Sequence, residues 1–173
     1  MLRIITKIFC ALSVLVAVAS LQPAFAQTGE PWKRVCQDDT KIESCRIAQQ
    51  LYLNKNVDGK KQTVGRVLSL TVLYLFVPQT GQRQPFMSII MPLGVDLRAG
   101  AKIKVDEGQE IPLRFLQCTK AGCAASVGLD TKLLEAMKAG NQLRVAFRPW
   151  GSKETAVLNA SLKGFTKGVN SLK

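Results

Sequence analysis

The chain has 173 residues, with 24 Lys and Arg against 12 Asp and Glu for a formal net charge of +12, and it contains no histidine. Without imidazole there is no Ser-His-Asp or Cys-His nucleophile activation, no histidine metal triad and no base of ordinary pKa near neutrality. The positive charge favours loose attraction to anionic surfaces or simply aids solubility, and it names no target.

The first segment reads as a targeting signal. Met1, Leu2, Arg3 and Lys7 make a basic start, residues 8–21 are apolar, and Ala24-Phe25-Ala26 supplies small residues for a peptidase. This predicts a secretory leader over residues 1–26, cut between Ala26 and Gln27. The apolar run is short for a bilayer span and ends in Gln22-Pro23, which argues against a retained anchor. Lys7-Ile8-Phe9 before Cys10 do not suit a lipoprotein site, and no twin-arginine pair occurs. Residues 27–173 then suffice for one compact domain and are too few for two.

Within that domain the pattern is mostly strands separated by turn chemistry. Trp32 to Cys36 and Cys45 to Tyr52 alternate, with Ile47 and Leu51 on the face of Cys45. Lys55 to Gln62, holding Asp58-Gly59, has the composition of a polar loop. Val64 to Val77 reads as a central strand bent near Ser69, and its apolar part is too short to cross a membrane. Pro78 to Pro85 is expected to turn, Phe86 to Met91 to return, and Pro92-Leu93-Gly94-Val95 to interrupt the sheet.

Ile103 to Val105, the turn Asp106-Glu107-Gly108 and Ile111 to Cys118 suggest a hairpin in which Gly108 takes positive φ. Further strands are expected at Cys123 to Val127, Leu143 to Phe147 and Thr155 to Leu162. One helix, residues 131–139, has good local grammar. Asp130 caps it, Leu129 and Leu134 staple it, Leu133, Leu134 and Met137 face inward, and Gly140 ends it in the left-handed region. A shorter helical turn over Phe165 to Leu172 is weakened by Gly168. The expected fold is mainly β: a single-domain antiparallel sandwich with one short helix and a C-terminal helical turn.

Cys10 leaves with the leader, so Cys36, Cys45, Cys118 and Cys123 remain, an even count suited to an oxidising compartment. Four cysteines allow three pairings, of which two local ones are simplest. The spacings are wrong for a Cys-x-x-Cys redox centre, and both pairs are wide for a zinc knuckle, which favours structural disulfides over metal. No phosphate loop, dinucleotide fingerprint, Ser-x-x-Lys or Gly-x-Ser-x-Gly occurs. A two-carboxylate glycosidase could draw on Asp96, Asp106, Glu107 and Glu110, but Asp106 and Glu107 sit in an apparent turn where solvated acids are ordinary. Trp32 and Trp150 suit packing or rim positions better than a ligand cage. No catalytic residue, cofactor or metal site is expected, and no run of cations marks a nucleic-acid arm.

Trp32, Cys36 and Cys45, then Pro92-Leu93-Gly94-Val95-Asp96-Leu97, Cys118 with Gly122-Cys123-Ala124, and Ser161-Leu162-Lys163-Gly164-Phe165, taken in order, resemble the invasion-associated locus B family of Gram-negative bacteria. The likeness spans nearly all of residues 27–173. It departs at Gly168, where a better helix former such as alanine is expected. The resemblance implies an exported β-rich envelope protein, whose founding member is linked to invasion of host red cells. It also implies Cys36, Cys45, Cys118 and Cys123 as disulfide partners, and Gly122 and Gly164 as positions needing backbone freedom. It supplies no catalytic residues.

The expected role is therefore non-catalytic contact with a host-cell surface. The alternative is a periplasmic housekeeping or stress-protective module that binds an anionic lipid, lipopolysaccharide or glycan. The protein is expected in the periplasm, at the outer membrane or outside the cell, with no membrane span in the mature chain.

Overall fold

The structure, a computed structural model, describes residues 31–173. The expected leader and its cleavage site at Ala26 and Gln27 lie outside the described residues. The strands are β1 (Lys33–Cys36), β2 (Cys45–Val57), β3 (Lys60–Val77), β4 (Gln82–Met91), β5 (Ala101–Val105), β6 (Ile111–Leu113), β7 (Phe115–Thr119), β8 (Gly122–Gly128), β9 (Gln142–Phe147) and β10 (Ala156–Ser161). Two helices, α1 (Thr131–Ala139) and α2 (Phe165–Asn170), complete the elements used below. One sheet runs β1-β2-β3-β4-β8-β7, the other β10-β9-β5-β6, and every pairing is antiparallel. This is the antiparallel β-sandwich that the strand pattern predicts.

Alternation builds the core. Cys45, Ile47 and Leu51 from β2, Leu68, Leu70 and Val72 from β3, and Met87, Ile89 and Met91 from β4 are buried, as are Leu143, Val145 and Phe147 from β9. Both ends of the described chain are tied into this core. The Trp32 indole packs edge-on against Phe165 with ring centroids 5.1 Å apart, and its Nε1 donates to the Ser161 carbonyl at 2.9 Å. Buried Gln49 donates to the same carbonyl at 3.1 Å.

Three sequence expectations need correction. The polar stretch Lys55 to Gln62 is not a loop: β2 and β3 continue through it as a ladder closed by a two-residue turn in which Asp58 (φ 51) and Gly59 (φ 76) are both left-handed. The bend expected near Ser69 has bulges close by in β3. Its register shifts fall where β3 carries the unpaired residues Val67 and Val64, opposite Leu51/Tyr52 and Leu53/Asn54. Ile111 to Cys118 is two strands, β6 and β7, placed in different sheets. The turn expected over Pro78 to Pro85 is shorter, because β4 begins at Gln82.

Glycine positions also differ from expectation. At the β5–β6 turn the left-handed residue is Asp106 (φ 45), whereas Gly108 is needed because a Cβ there would lie 2.9 Å from the Val105 carbonyl oxygen. Gly140 ends α1 in extended conformation (φ −80, ψ 168), with its missing Cβ making room for Val105 Cγ1 at 2.5 Å. The start of α1 follows expectation: Asp130 Oδ1 accepts from the Leu133 amide at 2.8 Å, and Leu133, Leu134 and Met137 are buried.

Candidate functional site

The four cysteines form two bonds, Cys36–Cys45 and Cys118–Cys123, each between residues directly opposite in a ladder. Register places them at opposite ends of the large sheet. Cys45 lies beside the part of β3 that leads to Val77, while Cys123 pairs with Met91 at the finish of β4. The thiols are thus held apart in two staples and do not converge as a four-sulfur metal site. Among the described residues no group of three or more His, Cys, Asp or Glu is arranged to hold a metal ion.

The carboxylates considered for catalysis are all engaged. Asp96 is buried; its Oδ2 accepts from Arg148 Nη2 at 2.8 Å, and its Oδ1 accepts from the Arg98 amide at 3.1 Å. The Arg148 hydrogen bond, outweighing partial desolvation, holds Asp96 below the usual aspartate range. Glu107 bonds Arg144 at 2.5 Å and Lys104 at 3.2 Å, and Glu110 bonds Lys102 at 2.9 Å; both are held below the usual glutamate range, chiefly by those hydrogen bonds. Asp106 accepts the backbone amides of Asn141 and Gln142 at 3.0 and 2.9 Å, so it fastens a connection and is not a free turn acid. A glycosidase acid must stay protonated at working pH, and these environments push Asp96, Glu107 and Glu110 the other way.

A candidate contact surface lies at one end of the sandwich. Here the connection from β4 to β5 meets the connection from β9 to β10. The Asp96 amide donates to the Arg148 carbonyl, and the Trp150 amide to the Gly94 carbonyl, both at 2.7 Å. Val95 and Pro149 bridge between them, and the Asp96–Arg148 pair locks the two connections from beneath. Three large apolar side chains project from this fixed base: Leu93 is 59% exposed, Leu97 52% and Trp150 66%. The Arg98 guanidinium lies over the Trp150 ring at 5.2 Å.

The same end carries the β2–β3 ribbon. β1 pairs with β2 only as far as Ala48, and β4 pairs with β3 only from Ser69 onward. Among the described residues, Tyr52–Val57 and the first residues of β3 therefore pair only with each other and project from the sheet. Arg66 at the base of this arm donates to the Ala121 carbonyl of the β7–β8 turn at 3.0 Å. Lys55, Lys60, Lys61, Arg66, Lys120 and Lys153 lie on these parts, and among the described residues none has a carboxylate within 4.0 Å. The ion pairs apart from those of Asp96 fall elsewhere, on Asp38, Glu107, Glu110 and Glu135.

Concave features lie away from this end, a cleft and a groove among them. A cleft of 650 Å³ runs between the β5–β6 turn and α1, lined by Val105, Ile111, Val127, Leu133 and Ala136 among others. A groove of 670 Å³ beside Trp32 is rimmed by Lys33, Arg34, Lys163 and Lys167. The sequence singled out Trp150 as a rim residue but not Leu93, Leu97 or the ribbon cations as its companions. The available signal was large apolar residues inside a Pro- and Gly-bearing connection, where a core role is not expected.

The sequence matches the family described as "Invasion associated locus B (IalB) protein" over residues 32–173. It is 30% identical over 161 residues to invasion protein B homologs from two Brucella abortus strains, covering 91% of this chain and 86% of each relative. The fold is similar to the crystal structure of invasion associated protein B from Bartonella henselae, with a TM-score of 0.61 and 21% sequence identity, over 84% of this chain and 94% of that one.

Proposed function

The chain belongs to the invasion associated locus B family, and from that membership we propose that it is an exported envelope protein that contacts the host-cell surface, erythrocytes included, without making or breaking bonds. Export is supported by two disulfides, which persist outside the reducing cytosol, and by the leader expected to end at Ala26. No helix among the described residues is long and apolar enough to cross a membrane.

The observation that carries the contact role is the exposure of Leu93, Leu97 and Trp150 on hydrogen-bonded connections, at an end where, among the described residues, Lys55, Lys60, Lys61, Arg66, Lys120 and Lys153 have no carboxylate within 4.0 Å. Large apolar side chains held out into water on a rigid base mark an interaction surface. The test is saturable binding of the purified protein to host cells, together with invasion by a deletion strain. Loss of binding on changing Leu93, Leu97 and Trp150 together to serine supports the role; unaltered binding and unaltered invasion on deletion overturn it.

A second reading, a periplasmic module that binds an anionic envelope component, draws on the Lys33, Arg34, Lys163 and Lys167 groove. Salt-sensitive binding to lipopolysaccharide or peptidoglycan, with an envelope defect on deletion in host-free culture, favours it.

A further inference from the structure

We infer that the partner of the cationic, apolar end is an anionic phospholipid bilayer, entered at its interface by Leu93, Leu97 and Trp150. This rests on the surface-contact reading and specifies what that surface is. The shape comes first. These side chains are exposed on a knot of two connections held together by backbone hydrogen bonds, which suits them to entering a soft phase. Trp150 with Arg98 over its ring joins an apolar plate to a cation, the pairing that settles at the level of lipid headgroups.

Charge decides the lipid type. Lys55, Lys60, Lys61, Arg66, Lys120 and Lys153 lie on three separate parts of the chain at this end, the first three toward the tip of the ribbon, and none is within ion-pair distance of a carboxylate among the described residues. A protein partner would have to present acids at matching fixed positions. A lipid leaflet presents mobile phosphates that adjust to scattered cations, and the attraction sums over those near the surface. The pair between buried Asp96 and part-exposed Arg148 ties the two connections together, so little ordering entropy opposes insertion.

The two tryptophans make the inference directly readable. Trp32 is buried and Trp150 is 66% exposed, so a blue shift of emission on adding vesicles reports Trp150. Protein recovered from the periplasmic fraction with its disulfides intact is titrated with vesicles of phosphatidylcholine containing phosphatidylglycerol, and with phosphatidylcholine alone. The expected results are a blue shift and co-sedimentation with the anionic vesicles only, weakened by about tenfold or more when Trp150→Ser is introduced and reduced by high salt. Circular dichroism of the variant verifies that this exposed substitution leaves the fold intact.

No shift with anionic vesicles, equal binding to both vesicle types, or a blue shift that depends on protein concentration without lipid overturns the inference; the last would assign the surface to a second copy of the chain. If vesicle binding is absent while host-cell binding persists and is lost in the Leu93, Leu97 and Trp150 serine variant, the lipid inference falls and the surface-contact reading stands.

Discussion

Removing each staple should cost a definable amount of stability. The bonds close loops with sequence separations of 9 and 5 residues. Chain entropy in the unfolded state then assigns about 2.6 kcal/mol to Cys36–Cys45 and about 2.1 kcal/mol to Cys118–Cys123. Cys45 and Cys123 are also buried, so replacing either by alanine leaves a small void that adds roughly 0.5 kcal/mol. Each double alanine variant should therefore lose about 3 kcal/mol, a large share of a typical folding free energy, and melt roughly 6–12 °C lower. The two losses should add, because the bonds lie at opposite ends of the sheet. Equilibrium urea unfolding of the oxidised protein and both double variants measures this. Amide exchange should rise most in β1 when Cys36–Cys45 is removed, since among the described residues that four-residue strand pairs only with β2. Losses below about 0.5 kcal/mol for both variants would refute the reasoning, by showing that the unfolded chain gains little freedom when the bonds are removed.

Three further outcomes follow from particular contacts. Gly168→Ala gains about 1 kcal/mol in helix propensity, but its Cβ would sit 3.2 Å from two carbons of Ile47, a fully buried side chain that would have to shift within the packed core. A net destabilisation of about 1 kcal/mol is expected in thermal melts, partly relieved by adding Ile47→Val; a stabilised single variant contradicts the packing account. Asp130→Ala should cost about 1 kcal/mol through loss of the cap to the Leu133 amide, read from urea unfolding. Asp96 has a lowered folded pKa, so its contribution is complete above the ordinary aspartate value and is lost as pH falls through the lowered one. Asp96→Asn should therefore lower the urea midpoint at neutral pH and flatten its acid-side decline; parallel pH profiles for the two proteins would show that the Arg148 pair is not responsible.

The local grammar of single elements was legible in the sequence. Asp130, Leu133 and Met137 announce α1, and the alternation around Ile47, Leu70, Ile89 and Val145 announces a sandwich core. What escaped depended on distant partners. The arm at Lys55 to Gln62 exposes both faces, so its strands lack the alternation that burial imposes, and only Asp58-Gly59 hinted at a hairpin. Arg114 separates two strands of different sheets, a change of partner that no local pattern records. Gly168 looked like a defect when judged as a helical residue alone, and its reason is the Ile47 side chain on β2. The candidate site was hidden for the same cause: residues 93–98 and 148–153 become one surface only through the bridge between Val95 and Pro149.

The most direct test of an extracytoplasmic contact role is protease shaving of intact cells, with mass spectrometry of the native chain alkylated without reduction. The account predicts a chain that begins at Gln27, carries no alkylated cysteine and is cleaved while the cells remain whole. A chain that retains residues 1–26, has free thiols at Cys36, Cys45, Cys118 and Cys123, and stays protected until lysis would contradict it.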